Sequence, residues 1–214
     1  MLEHGLNCRH VPTTLKETIT NSLEAAAYIA REGTDQGFRN YINYFLDNSP
    51  EFKSWRKSMP PSTPPTISKY RNEFLKCDID EVSNEINKIG LTLTQGQFLF
   101  HGGVWTSTSS LITNIPLSTS FCPDVALRNA EHRGKAYDAG RIDLVALEVA
   151  APRTNVFVFK RNGTTLGYEN EVLFAAGAEI TFNSCNLISN NYKVFKFKSP
   201  QKEIPISVIH AYIS

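Results

Sequence analysis

Two glutamates, Glu169 and Glu171, stand one residue apart at the start of an apolar segment, GYENEVLFAAGAEI. In an extended strand the side chains of residues i and i+2 project from one face, so the two carboxylates are expected to be neighbours. Such a pair can stabilise a developing positive charge and can accept a proton. Without that use, two adjacent like charges destabilise a fold. A solvated strand end with two unrelated glutamates is the alternative.

Two further polar groups end short apolar segments earlier in the chain. The stretch QFLFHGG delivers His101 and Gly102. The stretch IPLSTSF carries three hydroxyl-bearing residues and an aromatic residue: Ser118, Thr119, Ser120 and Phe121. Each group has a structural alternative, because a single histidine or a polar string at a strand end is common in folded proteins. The stretch TSTSSL at residues 106–111 shows that such strings also arise here from composition alone.

Amphipathic stretches before residue 91 predict helices. The stretch TTLKETITNSLEAAAYIAREG offers Thr14 and Glu17 as a capping box and Gly33 as the end of the first helix. Further helices are predicted in DQGFRNYINYFLDN, in SPEFKSWRK, where Ser49 is the cap, and in DIDEVSNEINKIG. The run SMPPSTPPT, residues 58–66, is expected to be a loop, because proline fixes φ and lacks a backbone donor.

After residue 95 the predicted elements are strands. Short runs rich in Val, Ile and Phe alternate with turn residues: QFLFH, DLVALEV, NVFVF, EVLFA, EITF, KVFKFK and ISVIHAYI. One predicted helix, PDVALRNAEHRGKAYDAG, interrupts them. This order predicts an α+β fold with two packed, mainly antiparallel sheets. We expect a single integrated domain, with residues 1–90 as its helical N-terminal part and residues 91–214 as its β-rich core.

Composition excludes several classes of protein. The chain has 214 residues, 41% of them hydrophobic, and a net charge of +1, so no global field attracts nucleic acid or an anionic membrane. No stretch approaches the roughly 20 apolar residues of a membrane span. The N-terminal stretch MLEHGLNCRHVPTTLKE lacks the pattern of a standard secretory signal, which leaves other export routes open. The four cysteines are scattered, so we expect no metal site.

The three polar groups, taken in this order and at these separations, resemble the motifs of the ADP-ribosyltransferase superfamily. That family has a strand ending in Arg-Gly or His-Gly, a Ser-Thr-Ser strand, and a Glu-x-Glu or Gln-x-Glu pair before a later strand. The resemblance extends over about residues 80–200. The small size and the helical preface look like bacterial mono-ADP-ribosyltransferase toxins and effectors, with His101 in place of the arginine of their Arg-Ser-Glu motif.

The resemblance implies transfer of ADP-ribose from NAD+ to a protein side chain, with release of nicotinamide. Glu171 would bind the ribose 2′-hydroxyl and stabilise the positive charge of the transition state, while Ser118 orients Glu171 and Glu169 activates the acceptor. The implied NAD+-binding residues are His101, Gly102, Ser118, Thr119, Ser120 and Phe121. In this interpretation Phe121 stacks on the nicotinamide ring. Tyr168 is predicted to contact the protein substrate.

His101 makes the motif set a hybrid of two branches of the family, with the histidine of one branch and the serine and glutamates of the other. The loss of an arginine removes a bidentate phosphate clamp, so the pose of NAD+ is expected to differ from that in the arginine branch. A Glu-x-Glu pair usually accompanies arginine modification, whereas a rearranged pocket favours a serine or threonine hydroxyl. The candidate acceptors are ubiquitin, small GTPases and actin in the cytosol of a host, which implies a secreted bacterial virulence effector without a metal. Two alternatives stay open: an NAD+ glycohydrolase, and a non-catalytic nucleotide- or protein-binding module of the same fold.

Overall fold

The computed structural model describes residues 15–106, 109–160 and 169–214. Its helices are α1 (Ser22–Glu32), α2 (Gln36–Asn48), α3 (Pro50–Ser58), α4 (Pro65–Asn72), α5 (Ile79–Ile89), α6 (Pro123–Glu131) and α7 (Lys135–Ala139). Its strands are β1 (Phe98–Gly103), β2 (Ser110–Ile112), β3 (Leu117–Ser120), β4 (Ile142–Val149), β5 (Val156–Val158), β6 (Glu171–Phe174), β7 (Glu179–Val194) and β8 (Lys202–Ile213). No helix among these described residues is long and apolar enough to cross a membrane.

Local capping signals place most of the N-terminal helices. The Ser49 hydroxyl accepts from the Phe52 N–H at the start of α3, and Asp78 caps α5, as predicted. The start of α1 was predicted wrongly. Asn21 caps it, with its side-chain oxygen accepting from Glu24 N–H at 2.9 Å. Glu17 precedes the helix, and Thr14 lies outside the described residues.

Helix α4 was not predicted, because it begins inside the proline-rich run, residues 58–66, that was expected to be a loop. Pro65 stands at its first position, where a fixed φ favours a helical start and no hydrogen bond is lost. The long helix predicted after the Ser-Thr-Ser segment is instead two helices, α6 and α7, separated at Arg133 with φ of 56°. The stretch KVFKFK is not a separate strand, since β7 ends at Val194 and leaves Phe195 and Phe197 exposed.

The α+β class is confirmed, and the strands are linked into one eight-stranded sheet rather than two separate ones. The strand order is β2-β7-β8-β4-β1-β3-β6-β5, and the pairings are antiparallel except for β4 with β8. Its two halves meet where β1 pairs with β3 at Phe100 and Ser120. This narrow junction places the end of β1 beside β3 and β6, which carry the other two polar groups.

Strand β4, in the middle of the sheet, is buried on both faces. Val145 and Leu147 pack into a core shared with helices α3 to α5. Leu144 and Ala146 point the other way, into a core shared with α1 and α6. Side chains of successive strand residues project to opposite faces, so a strand buried on both sides is apolar throughout. Helices therefore pack on both faces of the sheet around β4.

Candidate active site

The three polar groups predicted from the sequence meet at Ser118. Its hydroxyl donates a hydrogen bond of 2.7 Å to Oε1 of Glu171, and its carbonyl oxygen lies 2.9 Å from Nδ1 of His101. The antiparallel pairing of β3 with β6, which sets Ser120 opposite Glu171, brings these distant parts of the chain together. The fold thus links His101, Ser118 and Glu171 in one chain of hydrogen bonds.

His101 is neutral in this setting. Burial lowers the pKa of its imidazole, against the opposing effect of its hydrogen bond to Ser118. A carbonyl oxygen only accepts, so Nδ1 carries the proton and donates it to Ser118. Nε2 of the neutral ring is then an acceptor. His101 can therefore receive a hydrogen bond from a hydroxyl group, which an arginine at this position cannot do.

Glu169 and Glu171 lie close together for a reason other than strand alternation. Strand β6 begins only at Glu171, and Asn170 has φ of 48°, so the chain turns between the two glutamates. The Asn170 amide is buried and donates to Oδ1 of Asn43 on α2 at 2.7 Å. The Ser120 hydroxyl donates to the Glu169 carbonyl oxygen at 2.6 Å. The predicted proximity is right, and an anchored turn produces it.

Arg71 on helix α4 contacts both carboxylates, and the sequence analysis did not identify it. Its Nη2 lies 2.9 Å from Oε2 of Glu169, and its Nε lies 2.8 Å from Oε2 of Glu171. Its guanidinium stacks over the Phe159 ring at 4.7 Å. The expected repulsion between two neighbouring carboxylates was the available signal, because such a pair calls for a cation. Which cationic residue lies beside the two carboxylates depends on tertiary structure, so the sequence alone does not identify it.

The two carboxylate oxygens of Glu171 have different partners. Burial raises the pKa of its carboxyl, although Arg71 and the Ser118 hydroxyl act in the opposite direction. Oε1 accepts a hydrogen bond from Ser118, whereas Oε2 is buried in an ion pair with Nε of Arg71 at 2.8 Å and accepts no hydrogen bond of good geometry from the described residues. A buried acceptor of this kind has a strong preference for a donor. The hydroxyl of a ligand would satisfy it.

Other predicted site residues have structural contacts. The Thr119 hydroxyl donates to the Val172 carbonyl oxygen, and the Ser120 hydroxyl accepts from Cys122 N–H. Phe121 is 4% exposed and packs in the core, where it stacks on Trp55 with an interplanar angle of 6° and meets Phe52 edge to face. This burial contradicts the predicted stacking of Phe121 on a nicotinamide ring. Tyr168 lies outside the described residues.

Gly102 is required by a close approach of helix α6 to strand β1. A Cβ atom at this position would lie 1.9 Å from the carbonyl oxygen of Ala126. The Ala126 carbonyl belongs to the backbone hydrogen bonding of α6, so moving it away would disturb the helix. The predicted role of Gly102 in NAD+ binding stays a prediction.

We expect Gly102→Ala to lower the free energy of unfolding by about 1–3 kcal/mol or more, as overpacking of a dense interior does. The adjacent Gly103→Ala is the matched control, since its Cβ would have only an ordinary contact, 3.5 Å from His101 Nε2. Urea unfolding of both variants measures the difference. Equal stability losses for the two variants would contradict the proposed clash.

Comparison with solved structures identifies the fold. The ADP-ribosyltransferase Vis in complex with the inhibitor M6 matches over 87% of this chain and 90% of its own, with a TM-score of 0.53 and 13% identity. The Vis toxin from Vibrio splendidus matches over 86% and 89%, with a TM-score of 0.47 and 14% identity. The ADP-ribosylating toxin BECa of C. perfringens, solved with NADH, matches over 81% and 48%, with a TM-score of 0.46 and 10% identity.

No protein-family model matches the sequence, and no curated protein matches it. The similarity to the Vis complex shows that the chain has the fold of an ADP-ribosyltransferase. Within the described residues, no group of histidine, cysteine, aspartate and glutamate side chains has the arrangement of a metal site.

Proposed function

We propose that the protein is a mono-ADP-ribosyltransferase that moves ADP-ribose from NAD+ to a protein side chain and releases nicotinamide. The observation that carries this proposal is the geometry of Glu171. One carboxylate oxygen is held by Ser118 at 2.7 Å, and the other is buried beside Nε of Arg71 at 2.8 Å without a hydrogen bond of good geometry from the described residues. A fixed carboxylate with one open acceptor suits a ribose hydroxyl beside a carbon that becomes cationic.

The residues of the chain divide the work of this reaction. Glu171 accepts the ribose 2′-hydroxyl and stabilises the positive charge that develops as the bond to nicotinamide breaks. Glu169, which Arg71 holds on the same side, receives the proton of the incoming acceptor. His101 offers Nε2 to a further hydroxyl of the nucleotide. The transferase forms one bond from the acceptor atom to the ribose C1′ and breaks one bond to nicotinamide.

The acceptor belongs to a host protein in this proposal. The Glu-x-Glu pair suits arginine, and the hybrid motif with His101 also suits a serine or threonine hydroxyl. Ubiquitin, small GTPases and actin are the candidates to examine. The protein would then act in a host cytosol as a secreted bacterial effector, and NAD+ would be its co-substrate.

Labelled NAD+ tests the proposal directly. The protein is incubated with NAD+ carrying the label on its adenylate and with a host-cell lysate, and labelled protein bands and free nicotinamide are measured in parallel. A labelled band supports transfer, and mass spectrometry of that band identifies the target and the modified residue. Nicotinamide without a labelled band would favour the glycohydrolase. Absence of both would leave the binding module as the function of the fold.

Ser118→Ala is expected to slow nicotinamide release about 10–100-fold at neutral pH, since a hydrogen bond to a charged group contributes about 1.5–3 kcal/mol. The lost bond stabilises the ionised carboxyl, so the pKa of Glu171 rises further above its usual value. The rate should therefore recover as the pH is raised, and a pH–rate profile measures this shift of the acidic limb.

Thr119→Val is the matched control on the same strand. It also removes a hydroxyl, but one that donates to the Val172 carbonyl oxygen and not to Glu171. This variant should lose stability while the acidic limb of its pH–rate profile stays in place. A profile for Ser118→Ala that coincides with that of Thr119→Val would argue against the orienting role of Ser118.

A further inference from the structure

The two carboxylates of this site are an unfavourable pair without a counter-ion. Burial raises the pKa of Glu171, and the negative charge of Glu169 raises it further. When two carboxylates share a desolvated site, one of them takes up a proton at a higher pH than an isolated carboxyl does. A protonated Glu171 would be a poor stabiliser of a cationic transition state. A neighbouring cation is therefore needed to keep both carboxylates ionised.

Arg71 is placed to supply that support. Its guanidinium contacts one oxygen of each glutamate, at 2.9 Å for Glu169 and 2.8 Å for Glu171, and its side chain is only 10% exposed. A guanidinium stays charged at any pH that a protein survives, and its planar fork fixes the positions of both carboxylates. The contact of Arg71 with Oε2 of Glu171 is an ion pair without good hydrogen-bond geometry, and a carboxylate oxygen has two lone pairs, so Oε2 can also accept from a substrate hydroxyl.

Arg71 is itself held firmly. Its guanidinium lies over the ring of Phe159, a residue that is 2% exposed. The neighbouring Tyr70 anchors helix α4 by donating its hydroxyl to the Pro116 carbonyl oxygen at 2.6 Å. This carbonyl precedes the strand that carries Ser118. This hydrogen bond ties helix α4 to the residue that precedes strand β3.

Two further titratable side chains among the described residues lie near the pair, and both are neutral at pH 7. Burial raises the pKa of Tyr70 on α4 to about 12. Burial lowers the pKa of His101 on β1, which reaches Glu171 through Ser118. Among the described residues, Arg71 is thus the cation in contact with Glu169 and Glu171.

We infer that Arg71 is a positioning residue, which keeps both carboxylates charged and in place so that Glu171 can receive the ribose hydroxyl. This inference rests on the proposed function. The contrary possibility is that Arg71 merely fills the site and hinders the substrate. The two roles predict opposite effects when the guanidinium is removed.

Arg71→Gln separates the two roles. At pH 6.5 the variant should release nicotinamide from NAD+ more slowly than the wild type, by up to about tenfold for each unit by which the pKa of Glu171 rises, because each unit of pKa shift is tenfold in the ionised fraction below the pKa. Its rate should rise with pH and approach the wild-type rate where Glu171 is ionised in both proteins. Arg71→Lys retains the charge, so it should keep most of the wild-type profile at low pH while losing part of the rate.

Arg56→Gln is the matched control. Arg56 also lies over a phenylalanine ring, that of Phe52 at 5.3 Å, and it makes no ion pair with Glu169 or Glu171. Loss of an arginine that packs on an aromatic ring should leave the pH–rate profile unchanged. Thermal unfolding of all three variants shows whether each is folded at the temperature of the assay.

A second measurement does not require turnover. Protein labelled with ¹³C at the glutamate carboxyls is titrated by NMR, and the resonances are assigned with Glu171→Gln. The Glu171 carboxyl should titrate at higher pH in Arg71→Gln than in the wild type. An unchanged titration, or release of nicotinamide by Arg71→Gln as fast as the wild type at pH 6.5, would overturn the inference. If the wild type releases no nicotinamide, the proposed function fails while the titration still decides the effect of Arg71 on the carboxylates.

Discussion

Glu171→Gln is expected to slow nicotinamide release from NAD+ by about 10²–10³-fold, the effect of removing one preorganised stabilising group from an active site. Glutamine has the shape of glutamate, and its amide oxygen can still accept the 2.7 Å bond from Ser118. The amide nitrogen then replaces the open acceptor Oε2. It would present a donor to both Arg71 and the substrate hydroxyl, and the negative charge is absent. The loss should appear in kcat, since the charge matters most in the transition state.

Glu169→Gln is the matched control, because it removes the other carboxylate that Arg71 contacts. Water can replace the acceptor in hydrolysis, so this variant should lose labelling of protein to a greater extent than it loses nicotinamide release. Parallel assays of transfer and of nicotinamide release on both variants measure the separation. Equal losses of transfer and release in Glu169→Gln, or a Glu171→Gln variant within threefold of the wild type, would contradict the roles assigned to the pair.

Local sequence signals sufficed where the physics is local. Ser49 and Asp78 were recognisable as helix caps because a cap depends on a side chain and an N–H two or three residues away. The start of α1 was misplaced because Thr14 and Glu17 have the spacing of a capping box. The helix instead begins after Asn21, which caps it, and the Thr20 N–H donates to the Glu24 carboxylate. The change from helical to strand periodicity near residue 95 was enough for the α+β class.

Arg71 and Phe121 show what the local pattern does not contain. Arg71 lies 98 residues before Glu169 in the chain, on a helix that the preceding prolines obscured. Its role depends on tertiary contacts with Phe159 and the two glutamates, which no local periodicity encodes. Phe121 follows the Ser-Thr-Ser segment as the motif suggests, yet its ring stacks on Trp55 of α3 at 5.7 Å. A sequence does not distinguish a ring that faces a ligand from one that faces the core.

The proximity of the two glutamates was predicted correctly, but from an argument that does not apply to them. Strand alternation requires Glu169, Asn170 and Glu171 to be extended, and Asn170 is instead in the left-handed region. Asparagine tolerates that conformation better than most residues, and its buried bond to Asn43 offsets the cost. The proximity therefore depends on α2 as well as on the sheet. Both α2 and α4 belong to the helical part of the chain, so that part contributes directly to the candidate site.

Asp124 of α6 connects this helix to α2 and to the residue that caps α2. It is fully buried, its Oδ2 lies 2.8 Å from Nε of Arg39, and its Oδ1 accepts from the Asp35 N–H at 2.6 Å. The Arg39 side chain is only 12% exposed. Removing one partner of such a pair leaves the other charge desolvated and unpaired, which is far costlier than the net value of the pair.

We therefore expect Asp124→Ala to lower the free energy of unfolding by about 3–5 kcal/mol. The matched control is Glu179→Gln, which breaks the exposed ion pair with Arg153, where the side chains are 47% and 68% exposed. Such a surface pair contributes about 0–1 kcal/mol. Urea unfolding of both variants measures the contrast, and a loss below 1 kcal/mol for Asp124→Ala would show that Arg39 finds water or another partner.

We expect Asp124→Ala to affect the candidate active site as well as stability. Helix α6, which begins beside Asp124, lies against Gly102, where its Ala126 carbonyl occupies the space of a side chain. Gly102 in turn follows His101, whose Nδ1 contacts Ser118. Because α6 packs on Gly102, we expect Asp124→Ala to bind NAD+ more weakly than the wild type. The comparison is made at a temperature where both proteins are folded. Unchanged affinity would confine Asp124 to stability and would leave α4 and the Asn43 contact as the routes by which the helices support the site.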